Sequence, residues 1–165
     1  MEKESGSQPS HFSDVKLQQA TQKIRDQIRE ESKGKLKILV VDDYPLARSM
    51  YEEFLESKGF SVITASTGEE ALSFLKGGSF DLVLLDYRLP DMDGVQVLRI
   101  LRKNSKEIPV IMITSNNLKD TIEQAVTEGI SSYLLKPVQM NLLLERIQQA
   151  VKKESGAQEE PPPLV

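Results

Sequence analysis

From Lys37 onward the chain repeats one hydrophobic pattern five times. A short β-branched or aliphatic run is followed by a turn and then by a longer stretch with apolar residues at helical spacing. The short runs fall at 37–41, 60–65, 81–85, 109–114 and 132–135, and are read as strands. The longer stretches fall at 45–58, 68–76, 95–104, 118–128 and 139–153, and are read as helices. Breakers stand at the joints: Gly59, Gly77-Gly78, Gly94, Pro109, Gly129 and Pro137. In the last helix, Leu142, Leu143, Ile147 and Val151 are spaced to pack on a core.

Strict alternation of strand and helix predicts an α/β fold with a parallel sheet. The runs ILVV, LVLL and VIMI are apolar at every position rather than at every second one. That marks strands covered on both faces. Five units are too few for an eight-stranded barrel. The expected closure is a doubly wound five-stranded parallel sheet in a three-layer sandwich, with the flavodoxin-like strand order 2-1-3-4-5.

The two ends of the chain read differently. Residues 1–13 are polar and contain Gly6 and Pro9, as in a disordered tail. Residues 14–32 hold no Gly or Pro, and Asp14 could cap a helix there. Leu17, Thr21, Ile24 and Ile28 form a thin apolar stripe. This segment is read either as a solvated helix or as a docking helix that could make the protein a homodimer. Residues 154–165 are acidic and proline-rich, an expected extended tail. The domain division is therefore 1–34, 35–153 and 154–165.

Composition narrows the chemistry. The chain has 165 residues, 39% hydrophobic and 28% charged, enough for a core without staples. It has no Cys, which excludes disulfides, thiolate metal sites and cysteine nucleophiles. A net charge of −4 argues against nucleic-acid binding through bulk charge. No apolar run approaches a membrane span of about 20 residues, and the N-terminus lacks a signal-peptide core. A cytoplasmic protein without direct nucleic-acid or membrane contact is expected.

In open α/β sheets, sites form at the carboxyl ends of the strands. Here those ends carry Asp42-Asp43, Asp86, Thr114-Ser115 and Lys136. In the order 2-1-3-4-5 the four strands involved are neighbours, so the residues share one rim. Three carboxylates in one pocket repel unless a cation neutralises them. Hard oxygen donors favour Mg²⁺, which commonly takes one or two carboxylates together with phosphate oxygens. Lys136 and Thr114 could then hold a phosphoryl group. A carboxylate nucleophile would yield an aspartyl-phosphate.

The segments ILVVDDYPLAR, DLVLLDYRLPDMDGVQVL, IPVIMITS and YLLKP together resemble the receiver domain of two-component response regulators, over about residues 35–153. The resemblance implies that Asp86 is the phosphoacceptor. It implies Mg²⁺ binding by Asp42, Asp43, Asp86 and the backbone carbonyl of Arg88, with Asp43 a direct ligand. It implies that Thr114 and Tyr133 are the switch residues, that Lys136 pairs with the phosphoryl group, and that the Lys136–Pro137 bond is cis. Arg88 and Asn116 occupy positions that influence dephosphorylation in this family. Gly129-Ile130 departs from its frequent Gly-Ala.

The implied function is a phosphorylation-controlled switch that catalyses only its own phosphotransfer and dephosphorylation. A sensor histidine kinase or phosphotransfer protein would be the donor. A downstream protein would be contacted through helix 4, strand 5 and helix 5. Twelve residues follow Lys153, which suggests a stand-alone receiver; the alternative is a receiver from a longer DNA-binding transcription regulator. A phosphoester phosphatase usually carries a second Asp two residues after its nucleophile, where Arg88 stands. TASTGEEA at 64–71 weakly resembles a flavodoxin phosphate loop but follows the second strand, so it is read as a helix cap. His11 lies in the N-terminal tail, without the helical scaffold of a phosphorelay histidine.

Overall fold

The computed structural model describes residues 34–104, 107–115 and 119–154, together with Val15, Gln19, Gln22 and Lys23, which are helical and exposed. The expectations for the remaining residues of the N-terminal segment, Asp14 and His11 among them, for Asn116 and for the C-terminal tail lie outside the described residues. Residues 1–35 form a unit separate from 36–165.

The second unit alternates β1 (Lys37–Val41), α1 (Pro45–Ser57), β2 (Ser61–Ala65), α2 (Gly68–Gly77), β3 (Leu82–Asp86), α3 (Gly94–Lys103), β4 (Val110–Thr114), α4 (Lys119–Thr127), β5 (Ser132–Leu135) and α5 (Met140–Glu154). The strands form one parallel sheet in the order β2-β1-β3-β4-β5. This is the doubly wound topology expected, with each predicted boundary met within two residues. The one shift of consequence is that β3 runs on to include Asp86.

The all-apolar strands resolve into two faces. Leu39, Val41, Val83, Leu85, Val110 and Met112 join Ala71, Leu75, Val97, Leu98, Leu101 and Ala125 in one cluster, beneath α2, α3 and α4. Ile38, Val40, Leu82, Leu84, Ile111 and Ile113 join Tyr51, Leu55, Leu143 and Ile147 in the other, beneath α1 and α5. Successive side chains point to opposite faces, so a strand covered on both sides must be apolar throughout. The last helix contributes Leu143 and Ile147 fully, with Leu142 and Val151 at the margin of the cluster.

Helix starts are set by local chemistry. Pro45 opens α1 at a position where the absent N–H costs nothing. Asp93 and Gln96 form a reciprocal capping box at α3. Thr67 caps α2 by accepting from the Glu70 N–H at 3.1 Å, so the segment around 64–71 is indeed a helix cap. At the amino ends of β4 and β5, Arg102 Nη1 donates to the Ile108 carbonyl at 2.9 Å and Nη2 to the Gly129 carbonyl at 2.8 Å. Gly129 takes a φ of +86°, which side-chain-bearing residues rarely adopt. Ile130 packs beside it on the first cluster.

Glu70 reaches back to accept from the Ser66 N–H at 2.8 Å and its hydroxyl at 2.9 Å. The backbone bond, followed by the hydroxyl, holds its carboxyl below the ordinary value of 4.5. A carboxylate more acidic in the fold than in the unfolded chain adds stability above 4.5 and loses it as pH falls through the lower, folded-state value. Glu70→Gln should therefore lose less stability on acidification than the wild type. Urea unfolding at neutral and acid pH checks this, and equal losses would refute it.

Candidate functional site

Four strand ends meet at one rim because β1, β3, β4 and β5 are consecutive in the sheet. Asp42 follows β1, Asp86 closes β3, Thr114 closes β4 and Lys136 follows β5. Asp42, Asp86 and Thr114 are 1%, 5% and 2% exposed, whereas Asp43 is open to solvent.

The alternation of the strands divides these residues. Asp86 continues the row of Leu82 and Leu84, and Asp42 and Lys136 continue those of Val40 and Leu134, on the α1–α5 side. Thr114 continues the row of Met112, on the opposite side, and shares that face with Tyr133 on the neighbouring strand. Tyr133 is half-buried against the first cluster.

Oxygens of Asp42, Asp43 and Asp86 all lie within 4.8 Å of one another. The Lys136 ammonium donates to Asp42 Oδ2 at 2.8 Å and to Asp86 Oδ2 at 2.7 Å. The Tyr44 N–H donates to Asp42 Oδ1 at 2.9 Å, and the Arg88 N–H to Asp86 Oδ1 at 3.1 Å. The Lys136 N–H bonds the Thr114 carbonyl at 2.9 Å, which fixes the base of the lysine to β4. The Lys136–Pro137 peptide is cis.

The charges do not balance. Three clustered carboxylates share one ammonium, and the Arg48 guanidinium bonds the Asp42 carbonyl rather than a carboxylate, so negative charge stays in excess at the carboxylate oxygens. Burial pushes the Asp86 carboxyl above its ordinary value, with the nearby Asp42 charge adding to it. The Lys136 hydrogen bond and charge and the Arg88 N–H oppose that rise without cancelling it. Burial by itself lowers Lys136, but its bonds to Asp42 and Asp86 outweigh this and hold the ammonium protonated beyond its usual range. An oxygen-only donor set with two buried carboxylates, one exposed one and excess negative charge fits a hard divalent cation. Asp43, with its carboxylate among these oxygens and its side chain exposed, lies on the solvent side of the set.

Three features escape sequence reasoning. Arg48, on the first turns of α1, donates Nη1 to the Asp42 carbonyl at 2.6 Å and braces the β1–α1 turn. Its place six residues after Asp42 is the only sequence signal. Tyr51 occupies the buried stripe of α1 beneath the site. Burial raises its hydroxyl, and it feels the charges of Lys136, Asp42 and Asp86. Gly94 reads in the sequence as a breaker, yet its φ is ordinary. The constraint is close approach: a Cβ there would stand 2.6 Å from the Asp86 carbonyl oxygen and 3.0 Å from Tyr87 Cα. The Gly94 N–H donates to the Tyr87 carbonyl at 2.7 Å across the same gap.

A doubly wound sheet with an acidic cluster and a facing lysine at its carboxyl rim defines a class of signalling domain. The sequence matches the response regulator receiver domain over residues 38–148, and the chain belongs to that family. It is 33% identical over 124 residues to the chemotaxis protein CheY of Pseudomonas aeruginosa, covering 73% of this chain and 100% of that one. It is 36% identical over 121 residues to the transcriptional regulatory protein CitT of Halalkalibacterium halodurans, covering 71% of this chain and 53% of that protein. The crystal structure of a CheY-like receiver domain protein from Methanospirillum hungatei superimposes with a TM-score of 0.72 at 30% identity, over 74% of this chain and 98% of that one. Among the described residues no helix is long and apolar enough to cross a membrane.

Gly94→Ala should cost about 1–3 kcal/mol of stability, the usual range for overpacking a closed site. The contact is with backbone, which cannot swing aside. Urea denaturation gives the value, and an unchanged midpoint would show that the loop accommodates the methyl group.

Proposed function

We propose that this chain is a phosphorylation-controlled signalling switch whose phosphoacceptor is Asp86. The observation that carries the reading is the Lys136 ammonium seated between Asp42 and Asp86, inside a cluster that still holds excess negative charge. A cation on Asp43, Asp42, Asp86 and the Arg88 carbonyl would complete the neutralisation. Mg²⁺ supplies charge compensation for phosphoryl oxygens when bound.

The donor is a phosphohistidine on a sensor histidine kinase or a phosphotransfer protein. An Asp86 carboxylate oxygen attacks phosphorus, the P–N bond breaks, and its electron pair stays on the imidazole nitrogen. Lys136 then exchanges its bond to Asp86 for a phosphoryl oxygen, a charge-assisted contact that strengthens as negative charge accumulates. Hydrolysis by water restores the carboxylate, so the chain acts only on its own phosphoryl group. The donor must cover the rim to reach a nearly buried acceptor. Tyr44, Leu46 and Met50 expose apolar surface at the start of α1 beside it, suited to a partner helix.

The added charge of about −2 draws the Thr114 hydroxyl toward the acceptor from the opposite face of the sheet, and Tyr133 follows into the space released. The readout surface is α4, β5 and α5, where Val126 and Leu135 are exposed apolar residues. A charge placed at the rim shifts a pre-existing equilibrium there. A second reading places this receiver in a longer transcription regulator, since the matched segment spans only about half of CitT.

The test is the intact mass after exposure to Mg²⁺ with acetyl phosphate, and then with a phosphohistidine donor. The wild type should gain one phosphoryl group, Asp86→Asn none, and chelation of Mg²⁺ should abolish the gain. Absence of an adduct with both donors would overturn the assignment. In chelator, Asp86→Asn should unfold at higher temperature than the wild type, because it removes a buried charge that the fold disfavours. A lower melting temperature would show that the Lys136–Asp86 pair is net stabilising.

A further inference from the structure

We infer that Asp91 is a positioning residue for the acidic site, tethering the loop after β3 to the start of α2 so that the Arg88 carbonyl is held in place. This rests on the proposed metal reading. The loop from Tyr87 to Asp93 carries that carbonyl. At its tip, Asp91 Oδ1 accepts from the Gly68 N–H at 2.9 Å and Oδ2 from the Glu69 N–H at 2.8 Å. These N–H groups belong to the first turn of α2 and have no partner within the helix. They are 23 and 22 residues away in sequence, so the bonds tie the loop to a helix start rather than shaping the loop itself.

The adjoining contact is equally close. A Cβ on Gly68 would meet Met92 Cγ at 2.5 Å and Sδ at 2.8 Å, so the loop lies directly against a side-chain-free helix start. Between Asp91 and Arg88 stand only Leu89 and Pro90. Leu89 packs on the core, and the proline ring fixes its own φ. A displacement of the tip therefore reaches the Arg88 carbonyl with few free torsions to absorb it. The Arg88–Asp93 bridge closes the other side of the loop. Asp91 touches no candidate ligand, so any effect on the site runs through the loop.

Capping α2 and positioning the loop can be separated. Thr67 caps the same helix from its own side of the chain, with a bond to the Glu70 N–H and no bond to the loop. Calorimetric titration of Mg²⁺ into the metal-free full chain, with melting temperature recorded for each variant, distinguishes the two roles. Asp91→Ala should weaken Mg²⁺ about tenfold, the lower end for residues that orient metal ligands. Asp91→Asn, which keeps one carbonyl acceptor, should fall between it and the wild type. Thr67→Ala should lower the melting temperature and leave Mg²⁺ affinity unchanged. Wild-type affinity in both Asp91 variants would overturn the inference while the metal reading stands. So would an equal loss in Thr67→Ala, which would make the effect one of helix stability. No Mg²⁺ binding by the wild type would remove the metal reading and this inference together.

Discussion

The ammonium of Lys136 lies between two nearly buried carboxylates, and the arrangement of the rim follows from it. Asp42 and Asp86 sit where water cannot solvate them freely, on strands covered by helices on both sides. Buried charges are tolerated when paired and hydrogen-bonded. Lys136 supplies the pairing, and the backbone N–H groups of Tyr44 and Arg88 occupy the remaining oxygens. The pairing is incomplete, since Asp43 adds a third carboxylate to the cluster that Lys136 bonds at Asp42 and Asp86. A pocket left short of positive charge favours a cation and then a group whose charge the cation can share.

That arrangement depends on topology more than on any single side chain. The order β2-β1-β3-β4-β5 places the ends of β1, β3 and β5 near enough for one lysine to reach two aspartates. The alternation of the strands then sorts the rim, with carboxylates and ammonium toward α1 and α5, and Thr114 with Tyr133 toward α4. Thr114 and Tyr133 thus stand on the other face of the sheet from the acidic cluster.

Most of this was legible in the amino-acid order. Runs such as LVLL admit only a strand buried on both faces, and the polar residue ending each run marks the rim. Strand order followed because five βα units have few ways to close. What could not be read were contacts that join distant segments. Asp91 looks like an ordinary turn residue, and nothing local shows that α2 begins against it. Arg48 and Tyr51 look like one solvated and one core position of an amphipathic helix. Gly94 was legible only as a breaker, because its true constraint is the carbonyl of Asp86 across the loop, which only the folded chain brings near.

Arg102 bonds the Ile108 carbonyl ahead of β4 and the Gly129 carbonyl ahead of β5, at the end of the sheet opposite the rim. The two strands are therefore riveted together at their amino ends, while their carboxyl ends carry Thr114 and Lys136. There the Lys136 N–H on the Thr114 carbonyl closes the pair again, so β4 and β5 are fastened beyond both ends of their own ladder.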